Sequence, residues 1–188
     1  MTERAYIHDR KDETDQYASP EDFRRIFTEG LDGLYQLSFL LTRDPQKAEQ
    51  CFIGGIEDCV AGNSVFREWA RSWAKRAVIQ NAIRELKPRP GLSNSSPSAA
   101  TFLEIAKLWS GPANHSEIDA VCGLEDYERF VFVISVLERY SERDCALFLG
   151  SSVPEVQEAR TRALNGLAHS PHLDRSQKPK FRAGEEVK

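Results

Sequence analysis

The segment Tyr127–Leu137 narrows the choice of fold more than any other part of the chain. Phe130, Val131, Phe132, Val133, Ile134, Val136 and Leu137 leave it almost no polar side. A helix that is apolar all round has to be surrounded by other elements. The run is also far shorter than the roughly 20 apolar residues needed to cross a bilayer. It reads as the core helix of a small bundle. The rest of the chain agrees, because alternating runs rich in Val, Ile and Thr are scarce and Leu, Ala, Arg and Glu are common. The expected fold class is all-α.

Start and stop signals divide the chain. Residues 1–18 are charged throughout, with no apolar segment, so they read as a disordered tail and not as a signal peptide. Ser19-Pro20-Glu21-Asp22 is a helix start: Ser19 caps, Pro20 suits the first position, and Asp22 mimics a capping box. Phe23, Ile26, Phe27, Leu31, Leu34, Leu37, Ser38 and Leu41 then predict one helix over about 20–42. Asp44-Pro45 restarts the chain, and Ala48, Cys51, Phe52, Gly55, Ile56 and Cys59 share a face over 45–60. Gly54 and Gly55 lie inside that helix, where two glycines cost roughly 2 kcal/mol against alanine. Either close packing against another helix offsets this, or the helix bends there. After the break at Ala61-Gly62-Asn63, Ser64 is expected to cap a third helix that runs to about Leu86 and stops at Lys87-Pro88. Its apolar stripe is expected at Phe66, Trp69, Ala70, Trp73, Ala77 and Val78.

Residues 89–119 are rich in Pro, Gly and Ser and read as a flexible linker, within which Phe102–Trp109 is a short apolar segment able to dock as a helix. The prediction is thus two small helical domains, over 19–88 and 120–169, and a polar tail over 170–188. The second domain is expected to be helical from Leu124 onward. It contains two further capping boxes, Ser141 with Asp144 and Ser152 with Glu155, on either side of Gly150-Ser151.

Glu142–Thr161 has the layout of a helix-turn-helix. Ala146 is small where the second helix crosses, Gly150 tolerates the positive φ of the turn, and Val156 is the apolar anchor. Cys145, Leu149 and Ala159 fall inward around them. The outward residues of the second helix are Glu155, Gln157, Glu158, Arg160, Thr161 and Arg162. Gln, Arg and Thr can read base edges or hold phosphates. A plain helical hairpin in a bundle is the competing reading.

Charge is unevenly spread. The whole chain is acidic, with 25 basic and 29 acidic residues and a net charge of −4. Leu124–Ala168 has five basic and eight acidic residues, a net of −3. Such a segment holds DNA weakly by itself, because phosphate contacts dominate affinity. Arg67–Arg89 has seven basic and two acidic residues, a net of +5. Arg67, Arg71 and Lys75 recur every four residues and line one side, either as a solvated face or as a surface for phosphates. Trp69 and Trp73 lie beside this stripe. They can stack unpaired bases, but their spacing reads as core.

Other function classes find little support. Cys51, Cys59, Cys122 and Cys145 have no metal-ligand spacing and read as reduced, buried thiols of a soluble cytoplasmic protein. His8, His115, His169 and His172 are scattered, and there is neither a phosphate-cradling glycine loop nor Gly-x-Ser-x-Gly. No enzyme, catalytic residue, metal site, cofactor or membrane contact is expected.

Three stretches resemble the extracytoplasmic-function group of bacterial RNA polymerase sigma factors. LYQLSFLLTRDPQKAEQ is similar to the first-domain pattern at Leu34, Leu41, Asp44, Ala48 and Glu49. WARSWAKRAVIQNAIR is similar to the promoter-melting helix at Trp69, Ala74 and Arg84. YSERDCALFLGSSVPEVQEARTRALNGL is similar to the second-domain helix-turn-helix at Ala146, Gly150, Val156, Arg162, Ala163 and Leu167. The resemblance implies a region 2-like domain over 19–88 and a region 4-like domain over 120–169. It implies core RNA polymerase and promoter DNA as partners, with an anti-sigma protein as a further one. The −10 side of the promoter would meet Arg67, Arg71, Lys75, Arg76, Gln80 and Arg84, and the −35 side Gln157, Arg160, Thr161 and Arg162. Glu49, Gln50, Ile53 and Glu57 would meet the polymerase.

The chain departs from the family pattern at several places. Gln50, Ile53 and Gly54 stand where an Asp and a Gln-Glu pair are usual, Arg76 where Asn is usual, and Gln157, Glu158 and Ala159 where Lys, Ser and Arg are usual. Two other readings therefore stand beside the initiator. One is a degenerate sigma-like regulator that binds a protein partner through the surface around Gly54-Gly55 without initiating transcription. The other is a stand-alone DNA-binding regulator.

Overall fold

The computed structural model describes residues 16–62, 64–91 and 115–169, and their regular structure is helical apart from one isolated bridge between Tyr17 and Phe66. None of the helices in these residues is long and apolar enough to cross a membrane. The tails before residue 16 and after 169, and the segment Phe102–Trp109, lie outside the described residues.

Capping chemistry sets most helix starts. Helix α1 (Pro20–Glu29) begins with the expected box: Ser19 Oγ accepts from the Asp22 amide at 3.1 Å, and the Asp22 carboxylate accepts from the Ser19 amide at 3.0 Å. These bonds hold the Asp22 carboxyl below its usual range. The predicted single helix over 20–42 is in fact two. Gly30 closes α1 by donating to the Ile26 carbonyl, and its own carbonyl accepts from Leu34 to open α2 (Leu31–Thr42). The break consumes one residue; the buried face resumes at Leu34, and Leu31, expected on that face, is 51% exposed.

Helix α3 (Pro45–Ala61) starts where expected, with Asp44 Oδ1 accepting from the amides of Gln46 and Lys47 at 2.8 and 3.0 Å. Of the two accounts of Gly54-Gly55, close packing is the one observed. A Cβ at Gly55 would lie 3.0 Å from Val78 Cγ2, and one at Gly54 would lie 2.5 Å from Asn81 Oδ1. The neighbour that comes this near is α4 (Ala70–Leu86), whose buried face is Ala70, Ala74, Ala77, Val78, Ile79 and Ala82. The missing side chains of the two glycines make room for Val78 and Asn81 of α4.

The α4 region corrects two expectations. Ser64 does not cap a helix. Residues 64–66 are extended, Arg67–Trp69 form a single 3₁₀ turn, and α4 begins only at Ala70. The extended stretch is held by residues 16–18, which the sequence assigns to the tail. Ala18 donates to the Val65 carbonyl at 2.7 Å, and Arg67 donates to Gln16 at 2.9 Å. The second correction concerns the aromatics expected in the core. Phe66, Trp69 and Trp73 are 38%, 57% and 39% exposed. The packed face is set by the alanines, and the two indoles, each one residue before an alanine, are rotated about 100° away from it.

Helix α5 (His115–Cys122) occupies residues read as the end of the linker. Helix α6 (Asp126–Phe132) continues as a π-helical turn over Val133–Leu137, in which Glu138 donates to the Val133 carbonyl at 2.9 Å. Phe130, Val131, Val133 and Ile134 are fully buried, as the apolar run demands, but Leu137 ends the run exposed. Helices α7 (Glu142–Leu149) and α8 (Val153–Ala168) follow, with Gly150 between them at φ +61°. Ser152 and Glu155 form the full capping box; at the other start, Ser141 Oγ accepts from the Asp144 amide at 3.1 Å.

The helices fall into a first group, α1–α4, and a second group, α5–α8. The two groups correspond to the stretches read as two small domains, and in the described residues they touch. Helix α2 lies against α5, α6 and the π turn, α4 touches α7, and the buried apolar side chains of both groups join in one core.

Two measurements follow from this packing. Gly33 lies in the first turn of α2, where an added methyl group would meet nothing within 4 Å, whereas a methyl group at Gly55 would press on Val78. Gly33→Ala is expected to stabilise the protein by about 0.5–1 kcal/mol, and Gly55→Val to destabilise it by about 1–3 kcal/mol, both read by urea unfolding. The four cysteines are free and buried; burial pushes the Cys51 and Cys122 thiols up to about 11 and those of Cys59 and Cys145 to about 12. Ellman's reagent at mildly alkaline pH is expected to find no reactive thiol in the described fold until denaturant is added.

Candidate nucleic-acid interface

The basic helix α4 and the turn before it present the six residues expected on the −10 side. Each of the charged ones already has an internal partner. Arg67 Nη2 lies 3.4 Å from Asp22 Oδ2, and Arg71 Nη2 lies 2.9 Å from Glu29 Oε2. Both pairs stay within the first group. Lys75 Nζ instead reaches into the second group, 2.7 Å from Glu138 Oε2. The Arg76 guanidinium lies 5.7 Å from the Trp73 ring centre and 4.6 Å from that of Phe148 on α7, a cation–π arrangement. Arg84 pairs with Asp58 on α3. Gln80 is exposed and helps line a groove of about 420 Å³ between α4 and α7, with Arg76, Ile83, Arg84, Asp144, Leu147 and Phe148.

The aromatic side chains bring the surface a feature that the sequence pattern assigns to the core. Tyr17 stacks on Phe66 at 4.8 Å, and Phe66 meets Trp69 edge-on at 5.1 Å. With Trp73, these rings form an exposed aromatic patch bordered by Arg67, Arg71 and Arg76. The signal that distinguishes this arrangement is the alanine stripe of α4. Ala70, Ala74 and Ala77 are buried with Val78, Ile79 and Ala82 on the packed face of α4, and this face leaves Trp69 and Trp73 outside it.

On the second group, Ala146, Val156, Ala159 and Cys145 are buried, as the helix-turn-helix layout requires of them, and Leu149 is half-buried. The four residues expected on the −35 side lie along the outer side of α8, but they are tied down. Gln157 Nε2 donates to Glu142 Oε2 at 2.8 Å, and Arg160 Nη1 donates to Glu142 Oε1 at 3.1 Å. Thr161 Oγ1 donates to the Gln157 carbonyl at 2.9 Å. Arg162 Nε donates to Glu128 Oε1 at 2.6 Å, and its Nη1 lies 3.9 Å from Glu158 Oε2. The Glu128 side chain is only 15% exposed, but Arg160–Glu142 and Arg162–Glu158 are open to solvent and contribute about 0–1 kcal/mol each, so another anion can replace those carboxylates at little cost.

Glu49, Gln50, Ile53 and Glu57 are all exposed on α3, at a spacing that puts them on one side. Ile53, 45% exposed, is the apolar centre of that side. The surface around Gly54-Gly55 that a partner was expected to use is not available: Gly55 is buried under Val78, and Gly54 is half-buried beneath Asn81.

What fixes these surfaces relative to each other is a buried polar junction between the groups. Arg129 on α6 is completely buried, a fate almost confined to paired arginines. Its Nη2 donates to Leu41 O at 3.0 Å and to Asp126 Oδ1 at 2.9 Å, its Nε donates to Leu41 O at 3.3 Å, and its Nη1 donates to Leu124 O at 3.2 Å. Arg43 comes from the end of α2 to the same carboxylate, with Nη2 2.6 Å from Asp126 Oδ1, and its Nη1 donates to Cys122 O at 3.2 Å. Burial and the neighbouring Arg43 charge lower the Arg129 pKa to about 10, which leaves the guanidinium charged at neutral pH. Nothing in the sequence singles out Arg129, because it sits inside the most apolar run of the chain.

The chain matches no protein-family model and no curated protein.

Removing one member of a buried ion pair strands the other and costs about 3–5 kcal/mol. Asp126→Asn, which leaves the Arg129 and Arg43 guanidinium groups without their carboxylate, is expected to destabilise the fold by that amount in urea unfolding. The surface pair Arg24–Glu21, with side chains 56% and 81% exposed, is the control. There Arg24→Ala is expected to change stability by less than about 1 kcal/mol.

Proposed function

We propose that the chain is a sigma-type transcription initiation factor that binds core RNA polymerase and directs it to promoter DNA. One observation carries this reading. Trp69 and Trp73 stand on the surface beside Arg67, Arg71, Lys75 and Arg76, where a packed bundle has no use for them. Exposed aromatic patches with a charged border mark interaction sites. Unpaired bases stack on such rings at about 1–3 kcal/mol per base, and nearby cations hold the phosphates between them. Paired bases have their faces hidden in the stack, so a surface of this kind favours a strand that is already open. That selectivity is what melting a promoter requires.

The α7–α8 pair supports the second half of the reading. Buried Ala146 and Val156 and left-handed Gly150 support a helix-turn-helix, in which α8 would enter the major groove with Gln157, Arg160, Thr161 and Arg162 toward the bases and phosphates. The net charge of −3 over Leu124–Ala168 argues that this half works only when a larger partner delivers it. Core RNA polymerase is the proposed carrier, bound through Glu49, Gln50, Ile53 and Glu57 on α3.

The exposed Ile53 favours a second reading. An apolar side chain at the centre of that face, where the family has polar ones, suits a sigma-like regulator that docks on a protein partner and starts no transcription. The partner surface is then Ile53 and its neighbours on α3 rather than Gly54-Gly55.

Run-off transcription with purified core polymerase on a promoter library separates the readings. The initiator reading expects transcripts from the wild type. It expects a loss of about tenfold or more in Trp69→Ala, as loss of one stacked base implies, and a similar loss in the double variant Arg71→Ala, Lys75→Ala, with thermal melting little changed. Undiminished transcription in both variants would refute the assigned role of α4. Co-purification with a protein partner in the absence of any transcript would favour the regulator.

A further inference from the structure

We propose that the junction between the two helical groups is a latch that withholds part of the α4 surface from nucleic acid, with Arg43 as the side chain that closes it. The inference rests on reading α4 as a nucleic-acid surface. It adds that the described conformation is the closed one.

The row of cations on α4 is not covered evenly. Arg67 and Arg71 pair with Asp22 and Glu29 of their own group. Lys75 and Arg76 are taken up by the other group: Lys75 by Glu138, whose side chain is 15% exposed, and Arg76 by the ring of Phe148. Phe148 is itself braced edge-on by Tyr140 at 5.2 Å. A strand running along α4 therefore meets the aromatic patch and the first two arginines freely, and then runs into the π turn and α7. Full engagement of the row requires the second group to move off.

The contact is built so that it can let go. Beyond Arg76 and Phe148 the seam between α4 and α7 is an open groove with Leu147 77% exposed, so this edge is thin. The opposite edge is closed by Arg43, Asp126 and Arg129. Within that cluster, Asp126 and Arg129 both belong to α6, and Arg129 also donates to Leu124 of its own group. When the groups part, Arg129 loses the Leu41 carbonyl but keeps its carboxylate, while Arg43 gives up Asp126 and the Cys122 carbonyl. Opening leaves the buried Arg129 charge paired. A buried pair split evenly across the seam would impose the heavy penalty of an unpaired ion on every opening. Separation also uncovers apolar surface on α2 and α6, so the closed state is the majority in the free chain, and apparent affinity is reduced by the fraction that is open.

Arg43 has φ +56°, a left-handed conformation that Asn adopts readily, so Arg43→Asn removes the cross-group pair without penalising the backbone. The probe is a short fluorescein-labelled single strand of mixed sequence at low salt, read by anisotropy, with small-angle scattering on the same samples. Arg43→Asn is expected to raise the radius of gyration and to bind the strand about 5-fold tighter or more, the factor by which the open fraction grows. The gain comes despite the loss of a positive charge, and Lys75→Gln in the same chain abolishes it. Glu138→Gln, which leaves the Arg43 contacts intact and frees Lys75, is expected to tighten binding in the same direction, and it carries the test if Arg43→Asn does not fold. A folded Arg43→Asn with unchanged size and unchanged affinity overturns the latch and leaves the reading of α4 standing. Expansion without tighter binding overturns the withholding. If the wild type and every variant ignore the strand, the reading of α4 itself fails and the latch has nothing to guard.

Discussion

The arrangement of this molecule turns on one carboxylate, that of Asp126, shared between two guanidinium groups at the place where the halves of the fold meet. Two cations on one anion would be unfavourable in a dry site if nothing else served them. The carbonyls of Leu41, Cys122 and Leu124 supply the remaining acceptors. Leu41 lies in the last turn of α2, where carbonyls lack helical partners and the helix dipole favours positive charge. The helix end and the buried arginine thus satisfy each other. Polar geometry of this kind is directional in a way that apolar packing is not. It specifies how α2 meets α6, and through α6 it sets the position of the π turn, α7 and α8.

A second constraint, purely steric, orients α4. Val78 and Asn81 of α4 seat against the glycine pair of α3, and the buried face of α4 is completed by Ala70, Ala74, Ala77, Ile79 and Ala82. With that face inward, Trp69 and Trp73 turn outward. The basic row follows from the same fact, since Arg67, Arg71 and Lys75 share the side that the alanines do not use. A property read as functional, cations beside exposed rings, is therefore the complement of a packing requirement. The interior fixes the surface here.

Local chemistry is the legible part of the sequence. Ser19 with Asp22, Asp44 with Pro45, Ser152 with Glu155, and Gly150 at positive φ are each readable because the residues that make the feature are neighbours in the chain. The all-helical class is readable for the same reason. The break at Gly30 is not, because a one-residue interruption is too short to stand out from the apolar spacing read across it. The start of α4 is hidden because residues 64–66 are held by residues 16–18, a partner far away in sequence. Hydrophobicity sends Trp69 and Trp73 to the core, while the smaller alanines beside them carry the information about packing. Of the candidate surfaces, the outer residues of α3, α4 and α8 do lie on the outside, but their engagement with Glu142, Glu128, Glu138 and Phe148 is invisible in the pattern. Asp126 and Arg129 are three residues apart on α6, but Arg43 lies 83 residues before Asp126, and only the fold brings it to the pair.

The acidic partners give the proposed function a distinct electrostatic character. A cation that meets a phosphate displaces a counterion from the nucleic acid, which makes binding steeply salt-dependent. The cations of this chain are accompanied by Glu29, Glu138, Glu142 and Glu128 before any phosphate arrives. A phosphate that takes over Arg71 or Arg160 evicts a carboxylate that stays tethered nearby, and the local field is partly cancelled by the evicted charge. Each such contact is therefore weaker than the same arginine would make on a basic surface. A protein of this design holds nucleic acid poorly by attraction alone. In the proposed function it would discriminate by what remains, the stacking surface around Trp69 and the fit of α8, and a partner would supply the affinity that its own charge withholds.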